Sequence, residues 1–156
     1  MPTSNLPLRF GKGWMYEGGI RVPAIVKYPK KVESGIKSDQ VICGYDFYPT
    51  LLSLAGLPLS PNQHVDGVDV LDGKQNNLLE ERDMFWYYPL KHASGHSPSA
   101  AIRRGNYKLI LDLETKLFDV ENDISEDNEL SSTHDELTKE LKSRLISFIK
   151  ENKYDI

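Results

Sequence analysis

Between Leu8 and Pro23 the chain reads Leu-Arg-Phe-Gly-Lys-Gly-Trp-Met-Tyr-Glu-Gly-Gly-Ile-Arg-Val-Pro. Four glycines and a proline in sixteen residues are a poor recipe for a regular helix or an interior strand. The backbone here is expected to turn sharply and to approach something closely. Lys12, flanked by Gly11 and Gly13, is the obvious chemical group in the stretch. On such a loop a lysine brings a compact positive charge and three donors up to an anion, with little bulk beside it. The stretch runs into Ala24-Ile25-Val26-Lys27-Tyr28, a short apolar run that reads as a buried strand.

Gly11-Lys12-Gly13 followed, after two residues, by Tyr16-Glu17-Gly18-Gly19-Ile20-Arg21-Val22-Pro23 resembles the second signature of the sulfatases. Those enzymes hydrolyse sulfate esters with a formylglycine and a divalent cation. The resemblance continues through Asp46-Phe47-Tyr48-Pro49-Thr50-Leu51-Leu52, Asp66-Gly67-Val68, Phe85-Trp86-Tyr87-Tyr88-Pro89, Ala101-Ile102-Arg103 with Lys108-Leu109-Ile110, and Leu117-Phe118-Asp119-Val120-Glu121-Asn122-Asp123, in the family's order. It covers practically the whole chain, but only the closing part of a typical member. The resemblance implies an α/β fold of the alkaline-phosphatase-like kind, and it implies that Lys12 contacts a sulfate oxygen. There Lys12 would serve both substrate binding and catalysis, offsetting negative charge that develops on the transferred group. Glu17 and Arg21 belong to the same signature and are expected to brace the loop.

The resemblance also implies groups that this stretch of sequence does not supply. Formylglycine arises in the family from a Cys/Ser-x-Pro-Ser-x-Arg type motif, and Ile42-Cys43-Gly44-Tyr45-Asp46 has no proline, serine or arginine in place. His96-Ser97-Pro98-Ser99-Ala100 puts His96 where the nucleophile belongs and Ala100 where arginine belongs. Cys43 is therefore expected to be a small buried hydrophobe. Calcium, implied for a whole family member, needs several oxygen ligands, which the family draws from aspartate and Asp-Asn or Asp-His pairs ahead of this sequence. The acidic run from Asp119 fails the calcium-loop template, with Ile124 at the glycine position and Leu130 at the bidentate glutamate position. Asp119, Asn122, Asp123, Glu126 and Asn128 are expected to make turns and cap backbone groups. No metal site and no cofactor is expected within the chain itself. Relatives often carry a histidine where Tyr87 stands and another near Leu90, so His92 and His96, from the loop at 91–98, are the candidates to replace those substrate contacts.

Length and composition set the remaining bounds. At 156 residues and 39% hydrophobic residues, the chain suffices for one ordinary core. A net charge of -4 with no dense lysine and arginine cluster argues against nucleic acid; Arg103-Arg104 with Lys108 reads as a solvated strand face. One cysteine excludes an internal disulfide framework. No apolar run approaches the roughly 20 residues that span a bilayer, and residues 1–20 lack a signal peptide's hydrophobic segment. As written the chain would stay in the cytoplasm, whereas the resembled enzymes are commonly exported or periplasmic. That missing signal, with sequence of mid-family character from Pro2 onward, suggests the loss of the beginning of a longer protein.

Along the chain, residues 1–10 read as an extended lead-in and Val41-Ile42-Cys43 as a short strand. A helix is expected from an Asp46 N-cap to about Ala55, with Phe47, Leu51 and Leu54 on one face and Gly56 at the C-terminal cap. Residues 57–77 form a long connection. Met84–Tyr88, Ala100–Arg103, Tyr107–Leu113 and Lys116–Asp119 read as an antiparallel meander, turning at Arg104-Gly105-Asn106 and Glu114-Thr115. Thr133 and Glu136 resemble a capping box that opens a last helix, whose stripe is Leu137, Leu141, Leu145, Phe148 and Ile149.

The expected organisation is residues 1–60 as the end of a catalytic α/β layer including the Lys12 loop, 61–80 as a connection, and 81–156 as a small antiparallel sheet with a C-terminal amphipathic helix. The function implied is the C-terminal part of a sulfatase acting on a sulfated small molecule or glycan. Alone, the chain is expected to be inactive and to self-associate through open apolar surface. Two other readings stand beside it: an independent anion-binding or interaction module, and a truncated gene product with no function.

Overall fold

The computed structural model describes residues 4–63, 65–71, 81–89 and 98–153. The chain forms two compact units, one joining the residues up to Val22 with those from Glu81 onward, the other running from Pro23 to Glu80. The Lys12 loop thus groups with the C-terminal sheet, where the sequence suggested that it would group with the residues immediately after it.

In the first unit, β1 (Met84–Tyr88), β2 (Ser99–Arg104), β3 (Tyr107–Leu111) and β4 (Thr115–Asp119) make a four-stranded antiparallel meander in that order. Gly105 and Asn106 form the β2–β3 turn, with Gly105 at φ 53°, where a residue with a Cβ is disfavoured. The register pairs Arg103 with Lys108 and Lys108 with Phe118. Because side chains alternate across a strand, that register sorts the residues into two layers. Ala100, Ile102, Leu109 and Leu117 pack on Leu141, Leu145 and Ile149 of α3 (Asp135–Glu151). Phe85 and Phe148 stack with ring centroids 4.1 Å apart. Ala101, Ile110, Phe118 and Val120 face the other way, onto Met15 and Tyr16 of the N-terminal loop. Both faces of the sheet are covered, one by a helix and one by a loop.

Two local expectations fail here for physical reasons. The helix begins at Asp135 with His134, not Thr133, at the N-cap position and no side-chain cap; Thr133 lies one residue outside it, its hydroxyl donating to the Leu130 carbonyl (3.1 Å). The Arg103 and Lys108 face is not solvated: Arg103 is 7% exposed and Lys108 is fully buried. The carboxylates that permit this burial arrive from far away in sequence.

In the second unit a 3-10 turn, Gly44–Asp46, leads into α2 (Phe47–Leu54). Gly56, at φ 71°, follows the helix where a C-terminal cap was expected, and its N–H donates to Ser53 O. Asp46 does not cap α2 forward. Its carboxylate instead accepts from Cys43 N–H (2.7 Å) and Val68 N–H (3.0 Å), tying residues 43 to 68 together. The apolar face of α2 is turned outward: Leu51 is 61% exposed, while Pro49 and Thr50 are buried. Neither Ala24–Tyr28 nor Val41–Cys43 forms a strand, because among the described residues no strand pairs with either; Ile25 is 94% exposed. Cys43 is in no disulfide and is only partly buried. Among the described residues no helix is long and apolar enough to cross a membrane.

Candidate functional site

The loop around Lys12 is held by its own backbone and by one distant residue. Gly18 N–H donates to Arg9 O (3.0 Å) and Trp14 N–H to Gly11 O (3.1 Å), while Asn5 Nδ2 donates to Gly18 O (2.9 Å). These bonds fold residues 9–18 into a closed turn, with Phe10 at φ 56° and Gly13 at φ 95°. Two later glycines are required by contact. A Cβ on Gly18 would sit 2.4 Å from Arg9 O, and one on Gly19 would sit 2.0 Å from Trp14 O. Rings close the underside: Phe10 stacks on Trp14 at 4.4 Å, and the Arg9 guanidinium lies 4.6 Å from the Tyr16 ring centroid.

Beneath the loop sits a buried ionic cluster. Lys108 Nζ donates to Glu17 Oε1 (2.7 Å) and lies 2.7 Å from Glu126 Oε1. Glu17 also receives Arg21 Nη1 at 3.3 Å and has Arg103 Nη1 at 4.0 Å. Glu17, Lys108 and Glu126 are 2%, 0% and 0% exposed. Glu17 opens α1 (Glu17–Ile20), a single helical turn, and its N–H donates to Glu126 Oε2 (2.7 Å). Burial opposes ionisation of both carboxyls, and the outcome differs between them. At Glu17 the positive charge of Lys108, with Arg103 and Arg21, outweighs burial and holds the carboxyl below its ordinary range. At Glu126 burial, helped by the Glu17 charge, outweighs Lys108 and pushes the carboxyl up.

Lys12 itself is exposed, and it has no hydrogen-bond or ion-pair partner among the described residues. Glu17 and Arg21 brace the loop as expected. His92 and His96 lie outside the described residues. The acidic loop behaves mostly as foreseen: Asp119 accepts from Glu121 and Asn122 N–H (both 3.2 Å), and Asp123 from Asn128 N–H (2.7 Å). Glu126 is the member that sequence reasoning undervalued, since it is buried and ionic as well as a backbone cap. A signal for it existed. Leu109-Ile110 and Leu117-Phe118 are apolar on consecutive positions, which marks strands buried on both faces, and a lysine at 108 between such faces calls for a carboxylate.

A glycine-wrapped lysine carried on a braced loop, over an antiparallel meander backed by a terminal helix, defines the C-terminal part of a sulfatase, in the alkaline-phosphatase-like class. Residues 8–151 match the family described as N-sulphoglucosamine sulphohydrolase, C-terminal, and the chain belongs to that family. It is 34% identical over 143 residues to a sulfatase of Formosa agariphila, covering 83% of this chain and 26% of that protein. It is 36% identical over 101 residues to human arylsulfatase A, covering 65% of this chain and 19% of that protein. Among solved structures it superimposes on Ps i-CgsB in complex with k-i-k-neocarrahexaose with a TM-score of 0.82 at 30% identity, covering 93% of this chain and 32% of that one. A protein solved with its substrate D-glucosamine-2-N,6-O-disulfate aligns with a TM-score of 0.61 at 25% identity, covering 83% of this chain and 28% of that one. The chain thus spans about a quarter of the length of the first of these curated relatives.

The described residues do not fit the formylglycine or the calcium of the family. No group of three or more His, Cys, Asp or Glu side chains among them is arranged to hold a metal ion. Cys43, the one thiol, sits in a sequence without the flanking residues of the modified motif.

Proposed function

We propose that this chain supplies the sulfate-gripping lysine of a sulfatase that hydrolyses sulfate esters, sugar sulfates among them. The observation that carries the reading is Lys12: an exposed cation without an ionic or hydrogen-bond partner among the described residues, on a loop closed by hydrogen bonds, within a family match that spans residues 8–151. A lysine that is neither paired nor packed has no structural task. Holding it on a stiff turn lowers the ordering cost of meeting an anion. In that role the ammonium donates to a non-bridging sulfate oxygen and offsets charge developing in the transition state. His92 and His96 are proposed as further substrate contacts.

The test uses two proteins. The 156-residue chain, supplied with calcium, is expected to release no sulfate from an aryl sulfate. The open reading frame expressed with any sequence encoded ahead of Met1 is expected to release sulfate from sugar sulfates, with kcat/KM lowered about 10²- to 10³-fold by Lys12→Ala. Turnover by the 156-residue chain, or an unaffected Lys12→Ala enzyme, would overturn the reading. Tight sulfate binding by a monodisperse 156-residue chain, with no turnover by the longer protein, would instead favour an anion-binding module. His92→Ala and His96→Ala are each expected to raise KM, and an unchanged KM removes that residue from the site. The exposure of Ile25 and Leu51 supports self-association of the chain through the second unit, and light scattering showing a monomer would count against it.

A further inference from the structure

The two ends of the Lys12 turn are fastened to a single residue. Arg9 Nη1 donates to the Glu126 carbonyl (2.5 Å), and Glu17 N–H donates to the Glu126 carboxylate (2.7 Å). Arg9 and Glu17 flank Lys12 on either side, and the Gly18 to Arg9 backbone bond closes the same span. Glu126 lies more than a hundred positions away in sequence, in the loop after β4. Its backbone is at φ 56°, a conformation disfavoured for a residue with a Cβ and retained only where the surroundings over-determine it. The left-handed turn presents carbonyl and carboxylate to the same loop. Lys108 anchors the carboxylate from β3, so the position of Glu126 is referred to the rigid sheet rather than to its own loop.

We infer that Glu126 is a positioning residue for Lys12: it clamps both ends of the lysine's turn to the sheet and sets where the ammonium stands. This inference rests on the reading of Lys12 as the sulfate-binding group. It explains why this loop carries a fully buried glutamate bonded to residues more than a hundred positions away, where Asp119 and Asp123 accept from groups of their own loop and Glu129 from Leu117 and Ser131 N–H.

The experiment is a double-mutant cycle in the intact enzyme that contains this chain, with sulfate release per folded molecule as the readout. Glu126→Ala is expected to lower kcat/KM by about 10- to 100-fold, the scale of a small misplacement of a catalytic group. In a Lys12→Ala background the same change is expected to cost less than about two-fold, because the group it positions is already gone. Glu126→Gln, which keeps an acceptor for Glu17 N–H, is expected to restore most of the activity. Equal losses in both backgrounds would show a general effect on folding and overturn the inference while leaving the Lys12 reading intact. A silent Lys12→Ala would overturn that reading, and the catalytic form of this inference with it. Hydrogen exchange supplies the independent arm: in Glu126→Ala the amides of Trp14, Glu17 and Gly18 are expected to exchange at least about 10-fold faster, and unchanged exchange would refute the clamp whatever the kinetics show.

Discussion

Lys108 and Glu17, ninety-one positions apart in sequence, meet at 2.7 Å where neither reaches water. One buried ammonium serves two carboxylates, so its removal leaves charge uncompensated in a low-dielectric interior. Lys108→Met is expected to destabilise the first unit by about 3–5 kcal/mol, the range for breaking one side of a buried ion pair. Adding Glu126→Gln to that variant is expected to recover part of the loss. Denaturant unfolding at neutral pH measures both, and a loss below about 1 kcal/mol for Lys108→Met would mean that water reaches the cluster.

The same cluster gives stability a pH dependence of defined sign. Glu126 has a folded pKa above its unfolded value of 4.5, so the folded state binds the proton more tightly. Its contribution is fully present below pH 4.5 and is lost as pH rises through the raised folded value. Glu17 does the reverse: its folded pKa lies below 4.5, so its contribution is present above 4.5 and is lost as pH falls through the folded value. Glu126→Gln removes the first dependence and keeps the second. The variant is therefore expected to gain stability relative to the parent as pH rises from 4.5 toward neutrality, at no more than about 1.4 kcal/mol per pH unit. Urea unfolding of both proteins across that interval checks it, and a constant difference would contradict a raised carboxyl at Glu126.

What the sequence revealed, and what it concealed, follows the range of the interactions. The meander and α3 were legible because alternation in strands and the Leu141, Leu145, Ile149 stripe are local patterns, and the turn at Gly105 is local chemistry. The loop around Lys12 was legible as a turn, and Lys12 as its chemical group. Its fastening was not, because Glu126 reaches Glu17 from 109 positions away and looks like one more acid among Asp119, Asp123 and Asp127. Ala24–Tyr28 has strand composition without a strand partner, and a strand is a property of a pair. Thr133 has capping chemistry, but the helix starts one residue later, with His134 at the N-cap position.

Gly19 tests whether the turn is as tight as it looks. An added methyl would meet Trp14 O at 2.0 Å and Gly11 O at 2.7 Å, both of them backbone atoms that cannot rotate away. Gly19→Ala is expected to cost about 1–3 kcal/mol, the scale of overpacking, and to loosen the loop before it loosens the sheet. Thermal unfolding with exchange at the Trp14 amide reads both effects. A neutral Gly19→Ala would show that residues 11–19 shift as a body.

Leu145 tests the other layer. It is fully buried on α3 against Ala100, Ile102, Leu109 and Leu117 of the sheet, so Leu145→Ala removes contacts that the packed sheet cannot replace. The expected loss is about 2–5 kcal/mol. The Lys12 loop lies against the opposite face of the sheet, so its amide exchange is expected to change only through global unfolding. Selective loosening of residues 9–18 in this variant would show that the two faces are coupled.

Lys12 and Glu17 stand five positions apart in one signature, yet they are expected to separate cleanly when each is changed. Lys12 is exposed and unpaired among the described residues, so Lys12→Ala removes no described hydrogen bond or ion pair and is expected to leave unfolding free energy within about 0.5 kcal/mol of the parent. Glu17 takes Lys108 at 2.7 Å and Arg21 at 3.3 Å, so Glu17→Ala strands buried cations and is expected to cost about 3–5 kcal/mol. Anion binding should divide the other way when assayed on folded protein with inorganic sulfate: it is lost in Lys12→Ala, whose fold is intact. Parallel denaturation and sulfate titration of the two variants decide the matter. A strongly destabilised Lys12→Ala protein would mean that the lysine braces the loop, and the division of labour within the signature would have to be reversed.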